Sequence, residues 1–454
     1  MELNKIYQGN ALDVLKTWPD ESISCVMTSP PYWGLRDYGE DTSVIWGGDS
    51  QCEHEWGNKI EPRGSKSGKP GPNATVGARF AEDEVRRGEG SNFCLKCGAW
   101  KGQLGLEPDF NDYIRHLCDI FDEIKRVLRK DGTCWVNLGD TYGTHCSGGK
   151  EHPHNFQDAS TAREQGIGTL KKPKGIEKSL CLVPFRFAIE MVNRGWILRN
   201  TLVWHKPNCL PSSVKDRFTV DFEYLFFFTK NKKYWFETQY EPLQEITIKD
   251  KRVGCDVSRR GIKDYPNGIQ NPSDVRARIF NNLNPLGRNK RTVWSICPQP
   301  FPDAHFAVFP EELCETPIKA GCPEFICKKC GTPREKIYER QASTMNIRVR
   351  DVKEGRIKFE DRKASDDEVE NYGEETPQGE VKFKGYTDCG CDHSDGWDSG
   401  IVLDPFIGSG TVGLVALKQN KKFVGIELKP AYIEMAMKRL KPWLEQTRLS
   451  EFDG

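Results

Sequence analysis

Apolar and polar positions along this chain follow two periods in turn. Strand-like runs open it, at Lys5-Ile6-Tyr7 and at Ser24-Cys25-Val26-Met27-Thr28, the second bounded by Asp20-Glu21 and by a double proline. Between them, Ala11 to Trp18 fits a helix. From Asp109 to Leu128 the apolar residues Tyr113, Leu117, Ile120, Phe121, Ile124, Val127 and Leu128 recur every three or four positions, which predicts an amphipathic helix. Lys130-Asp131-Gly132 is expected to turn the chain into a strand from Thr133 to Leu138. A helix from Pro184 to Val192 and strands from Trp196 to Trp204 and from Glu223 to Phe228 follow, the last apolar enough to be buried on both faces. The pattern closes with a strand from Ser399 to Leu403, a helix through Val412, Leu414, Val415 and Leu417, a strand from Lys422 to Glu427 and a helix from Ala431 to Leu440. Strands alternating with helices predict an α/β sheet with helices on both faces.

Two stretches interrupt this rhythm. From Ile45 to Leu104 the chain fills with Gly, Pro, Ser and Lys and loses periodicity, as does 327–392, whose middle from Asp351 to Glu380 is charged and poor in apolar residues. Each interruption carries cysteines at metal-ligand spacing. Cys52 and His54 with Cys94 and Cys97 form one set of four, and Cys327 and Cys330 with Cys389 and Cys391 another. Such sets suit tetrahedral zinc, so one or two structural zinc ions are expected to staple the insertions. The 17 cysteines, an odd number with no export signal at the start of the chain, argue for reduced thiols and a cytosolic protein. No apolar run approaches a membrane span, so no membrane partner is expected.

The length of 454 residues implies one large domain with insertions, or two domains. Lys plus Arg and Asp plus Glu balance at 66 each, so bulk charge does not announce a nucleic-acid binder. Residues 241–300 hold eleven Lys and Arg against six acids, and Arg259, Arg260, Arg276, Arg278, Arg288, Lys290 and Arg291 make that stretch either a phosphate-facing surface that recognises sequence or a basic, solvated insertion. The glycine-bounded loop from Gly34 to Gly39, carrying Arg36, suits equally a segment that closes over a substrate and an ordinary surface turn.

Chemistry concentrates at the carboxyl ends of two strands. Ser29-Pro30-Pro31-Tyr32 is a stiff elbow, because each proline fixes its own φ and pushes the residue before it extended. Acceptors at Ser29 and Pro30 could hold the hydrogens of an exocyclic amino group, with Tyr32 stacked on the ring. Taken alone, the same residues fit a proline-stiffened loop. The second site is Asp404-Pro405-Phe406-Ile407-Gly408-Ser409-Gly410-Thr411, a strand, glycine turn and helix start that admit close approach of a ligand to the backbone. Glu427 ends the next strand, where an acid can meet ribose hydroxyls.

Together, Thr28-Ser29-Pro30-Pro31-Tyr32 and Asp404-Pro405-Phe406 with Gly408-Ser409-Gly410-Thr411 resemble the amino-methylating DNA methyltransferases. With the catalytic motif first and the cofactor motif last, the order is similar to their circularly permuted β class. The resemblance implies a permuted Rossmann-like sheet and S-adenosyl-L-methionine as cofactor, with Asn10, Phe309, Pro310, Asp404, Phe406, Gly408, Ser409, Gly410, Thr411 and Glu427 at its site. It places Lys206 beside the target base and implies double-stranded DNA as substrate, base flipping, and a role in restriction–modification or phage and host DNA protection, with a separate restriction endonuclease as partner. Ser29 before Pro-Pro-Tyr favours N4 of cytosine over N6 of adenine. An RNA methyltransferase and a non-catalytic zinc-containing DNA-binding protein remain as other readings. The expected organisation is a catalytic half over 1–44, an insertion over 45–104, continued core over 105–240, recognition over 241–300, a cofactor segment over 301–326, an insertion over 327–392 and the cofactor-binding half over 393–454.

Overall fold

Eight strands form one sheet in the computed structural model, which describes residues 1–35, 39, 42–57, 92–143, 178–242, 286–299, 309–340, 381–392 and 394–446. In chain order the strands are β1 (Lys5–Gln8), β2 (Ile23–Thr28), β3 (Leu128–Leu138), β4 (Ile197–His205), β5 (Phe222–Thr229), β6 (Val293–Ser295), β7 (Ile401–Asp404) and β8 (Lys422–Glu427). Across the sheet they run β1-β8-β7-β2-β3-β5-β4-β6. Strands β1 to β3 in that spatial order are parallel, β5 is antiparallel to both its neighbours, and β6 lies parallel to β4 at the edge. Val402 and Leu403 pair with Cys25 and Val26, so strands from opposite ends of the chain are neighbours. Their carboxyl ends therefore open at one place, where ligands of open α/β sheets bind.

Helices cover both faces. One side carries α1 (Ala11–Lys16), α2 (Phe110–Val127) and α3 (Val183–Asn193); the other carries α4 (Glu311–Gly321), α5 (Thr411–Lys418) and α6 (Pro430–Leu444). Every residue of β2 is buried, and its pleat shares them between the layers: Ile23 and Val26 join the core under α1–α3, Cys25 and Met27 the core under α4–α6. Side chains start two of the helices. Asn10 accepts the Leu12 N–H at 2.9 Å and Asp109 accepts the Asn111 N–H at 2.7 Å. Asp140 accepts the N–H groups of Leu182 and Val183 at the start of α3, each at 3.1 Å.

Three local features differ from the sequence pattern. No turn separates α2 from β3, because Lys130-Asp131-Gly132 is absorbed as an irregularity: Ile23 pairs with Leu128 while Cys25 pairs with Thr133, and Arg129 closes the bulge onto Asp131 at 2.9 Å. β6 lies inside the stretch assigned to recognition and was too short to show a period. Inside the irregular stretch from Ile45, Val44–Trp46 and Trp100–Gly102 pair as an antiparallel ribbon with both tryptophans buried.

The chain divides into two units, one of residues 1–235, 292–322 and 399–454 and one of 236–291 and 323–398. The first contains the sheet. The second contains three short antiparallel ribbons, Tyr240–Glu241 with Arg288–Asn289, Ile326–Cys327 with Trp397–Asp398, and Lys336–Arg340 with Val381–Tyr386. Among the described residues no helix is long and apolar enough to cross a membrane.

Candidate active site

The elbow after β2 is held from three sides. Thr28 donates its hydroxyl to Asp404 Oδ1 at 2.7 Å, binding the end of β2 to the end of β7. From α2, Tyr113 donates to the Pro31 carbonyl at 2.8 Å, and Trp33 Nε1 donates to the Glu107 carbonyl at 2.9 Å. Pro30 cannot leave its extended geometry, so Ser29 is presented on a fixed backbone.

Behind Ser29 lies a polar network that the sequence reading missed. Asn137 in β3 donates Nδ2 to the Tyr224 carbonyl at 3.0 Å, which turns its Oδ1 toward the elbow. Ser29 Oγ is 3.3 Å from that oxygen and 3.3 Å from the Tyr32 hydroxyl. Tyr32 OH lies 2.9 Å from Asn137 Oδ1 and 2.7 Å from Glu223 Oε2. The other Glu223 oxygen pairs with the Lys206 ammonium, which also sits 4.4 Å from the centre of the Trp204 ring. Two hydroxyl protons serve these acceptors, and the shorter, charge-assisted contact takes the phenol proton to Glu223. The Ser29 proton then turns inward to Asn137 or Tyr32, leaving the serine oxygen free to accept. Burial, with the Glu223 carboxylate alongside, pushes the Tyr32 phenol well up, so it keeps its proton. A Cβ on Gly139 would lie 2.8 Å from the Tyr32 ring, so the absence of a side chain there lets the ring occupy its place. The only sequence signals for Asn137 and Glu223 were single polar residues inside otherwise apolar strands.

Ser29 lines a solvent-open cleft that also reaches Gly9, Asn10, Pro405, Phe406, Gly408 and Glu427. The walls fit the expected cofactor. Val44, Trp46, Leu104, Ile120, Phe406 and Ile426 present apolar surface that an adenine ring would fit, and the Glu427 carboxylate stands where hydroxyls could meet it. Gly408 donates its N–H to one Glu427 oxygen at 3.1 Å and Lys429 donates to the other at 2.9 Å, fixing the acid although burial pushes its pKa up. A Cβ at Gly408 would meet no atom closer than 3.9 Å, so this glycine leaves open space beside the turn. Gly410 has φ +80° and opens α5. Ser409 Oγ is 3.5 Å from Thr411 Oγ1, which accepts Arg439 at 2.9 Å, and Arg439 also pairs with Glu311 at 2.8 Å. Phe309 packs against the core under α4–α6 and Pro310 caps α4.

Asp404 is buried, and burial, reinforced by the Glu427 charge, pushes its carboxyl up to about 7 against the Thr28 hydroxyl and Phe406 N–H that favour the anion. The folded carboxyl thus keeps its proton to a higher pH than the unfolded value of 3.8, and its contribution to stability falls as pH rises between the two. Asp404→Asn keeps an acceptor for Thr28. It should melt close to the wild type near pH 4 and above it near pH 8 when cofactor-free proteins are compared in paired thermal melts.

The remaining expected residues are distributed as follows. Arg288 and Arg291 both donate to Glu241 Oε1, at 2.6 and 2.7 Å, and the Lys290 N–H donates to the Gln239 carbonyl at 2.9 Å. Lys206, read as a contact beside the base, holds Glu223. Arg36, Arg259, Arg260, Arg276 and Arg278 lie outside the described residues, as does the segment from Asp351 to Glu380. Both four-residue metal sets are brought together, the donor atoms within 4.8 Å of one another in each.

Residues 23–325 and 396–438 match the DNA methylase family of N6 and N4 type. The Type II methyltransferase M.Cfr9I of Citrobacter freundii is 29% identical over 444 residues, covering 97% of this chain and 89% of its own length. The Type II methyltransferase M.XycI of Xanthomonas campestris pv. cyanopsidis is 28% identical over 440 residues, covering 96% and 87%. Among solved structures, the PvuII DNA methyltransferase (cytosine-N4-specific) aligns with 98% of this chain and 87% of its own at 15% identity and a TM-score of 0.43.

Proposed function

Since the chain belongs to the N6/N4 DNA methylase family, with S-adenosyl-L-methionine as its methyl donor, we propose that it methylates the exocyclic N4 of a cytosine flipped out of duplex DNA. The observation that carries this reading is the Ser29 oxygen, fixed at the carboxyl end of β2, lining the cofactor cleft with its proton directed toward Asn137 or Tyr32. A serine oxygen in that state accepts a hydrogen from the cytosine amino group and draws its lone pair out of conjugation. The bound cofactor supplies a methyl group already activated by positive charge. Ser29 and the Pro30 carbonyl would hold the nitrogen in line, so positioning supplies most of the acceleration. The proton released as the new bond forms has a route through Ser29 and Tyr32 to Glu223, a carboxylate that Lys206 holds in place. Glu427 would take the ribose, and the apolar wall with Asn10 the adenine.

The relatives named Type II methyltransferases support the methyltransferase part of this reading. A protective role in restriction–modification, with a separate endonuclease acting on the same site and both working in the cytoplasm, is proposed with it. The basic stretch 241–300 would supply the arginines that read bases, each good pair giving roughly 1–3 kcal/mol of discrimination. The test is product identity. Purified protein incubated with labelled cofactor and methylation-free genomic DNA, then digested to nucleosides, should give N4-methylcytosine by mass spectrometry. N6-methyladenine would move the target to adenine on the same fold, and label in RNA alone would overturn the reading.

A further inference from the structure

Gly47–Gly57 and Asn92–Ala99 bury almost nothing apolar, yet they hold a defined shape. Cys94 and Ala99 are their only buried residues, while Gln51, Glu53, Glu55, Leu95 and Lys96 point outward. What they turn inward is a ligand set. Cys52 Sγ lies 3.8 Å from Cys94 Sγ, and Cys97 Sγ lies 3.4 Å from His54 Nδ1. A sulfur pair at 3.8 Å is far beyond a disulfide bond of about 2.05 Å. It does match the edge of a tetrahedron around zinc: bonds of about 2.3 Å to sulfur and 2.0 Å to nitrogen put ligands roughly 3.5–3.8 Å apart.

The backbone has the matching form. The Gly98 N–H donates to the Cys94 carbonyl at 3.0 Å, and Gly98 takes φ +73° to close the turn under the two sulfurs. The same turn recurs in the second unit, where the Gly331 N–H donates to the Cys327 carbonyl at 2.8 Å with Gly331 at φ +72°, and the sulfurs of Cys327, Cys330, Cys389 and Cys391 converge.

We infer that each set binds one structural zinc ion, and that the first zinc holds a wall of the cofactor cleft. The link is short. From the knuckle the chain passes through Ala99 into Trp100–Gly102, which pairs with Val44–Trp46, and Val44, Trp46, Gln103 and Leu104 line the cleft. Gly48 lies against the knuckle so closely that a Cβ there would come within 2.8 Å of Cys97 Sγ. Trp46 and Trp100 both stack on His116, at 4.9 and 5.8 Å, and His116 bonds Glu107 at 3.0 Å, whose other oxygen accepts the Gly105 N–H at 2.8 Å. Four metal bonds at the outer end of the ribbon offset the knuckle's lack of an apolar core and keep Trp46 in place. The second set belongs to the other unit and contributes none of the ribbon or turn residues that line the cleft.

Zinc content and cofactor affinity test the two halves separately, and only the second half rests on the methyl-transfer reading. Full-length protein purified without chelator should hold two zinc ions per chain by plasma mass spectrometry. Cys97→Ala and Cys330→Ala should each hold one. By calorimetry with S-adenosylhomocysteine, Cys97→Ala should bind at least about tenfold more weakly, and Cys330→Ala within about twofold of wild type. If Cys97→Ala does not fold, wild-type protein reconstituted with cobalt should still show the absorption bands of tetrahedral thiolate coordination at two sites, and mercurial treatment should release zinc and weaken cofactor binding together. Wild type with no zinc and no cobalt bands would overturn the metal sites. Equal affinities in the two variants, or zinc release without loss of affinity, would overturn the role in the cleft.

Discussion

Ser29→Ala lowers kcat for methyl transfer by about 10²–10³-fold and leaves cofactor affinity within about twofold. The substitution removes one oxygen and changes nothing in the elbow's backbone, because Pro30 and Pro31 and the bonds from Thr28, Tyr113 and Trp33 fix it independently of the serine side chain. Ser29 is one lining residue of a large cleft, so binding loses little. What disappears is an acceptor aimed at the amino group whose charge changes in the transition state. A single preorganised hydrogen bond of that kind is worth about 3–4 kcal/mol in a water-poor site. Single-turnover rates with saturating cofactor and DNA, beside calorimetric cofactor affinity, separate the two effects. A variant within about threefold of wild type would remove Ser29 from the chemistry.

Phe423→Ala destabilises the protein by about 3–5 kcal/mol. Phe423 is fully buried in β8, between β1 and β7, and its ring packs on Gly413 of α5. A Cβ on Gly413 would already lie 3.1 Å from that ring, so helix and ring are in contact with no intervening side chain. Deleting the ring leaves a cavity between a rigid strand and a helix that cannot close on it without moving the glycine turn at Gly408–Gly410. Urea denaturation of the cofactor-free protein gives the loss of stability. A change below about 1 kcal/mol would mean that α5 can collapse onto β8, and that the turn is looser than its packing implies.

The sequence made the sheet legible wherever an element was long enough to show a period. α2 carries ten buried residues at helical spacing, and β2 and β8 are apolar runs ended by chemistry, at Ser29 and Glu427. The metal sets were legible for a different reason: ligand type and spacing are local, and glycine after each Cys-x-x-Cys marks the turn. The polar network behind Ser29 was not. Asn137 and Glu223 stand in strands far apart in sequence, and only the antiparallel pairing of β3 with β5 brings them to Tyr32. Trp46 and Trp100 were hidden likewise, because each belongs to a strand of three residues whose partner lies across a long insertion. Register between distant strands is set by the whole sheet, and no local pattern encodes it.

Both ends of the chain line one cleft, Asn10 and Ser29 from one end and Phe406, Gly408 and Glu427 from the other. A crystal structure of the full chain with S-adenosylhomocysteine tests whether methyl transfer is set up there. The adenosine is expected against Trp46, Ile426 and Glu427, with the sulfur directed toward Ser29. A ligand bound outside this cleft, or one whose sulfur points away from Ser29, would contradict that arrangement.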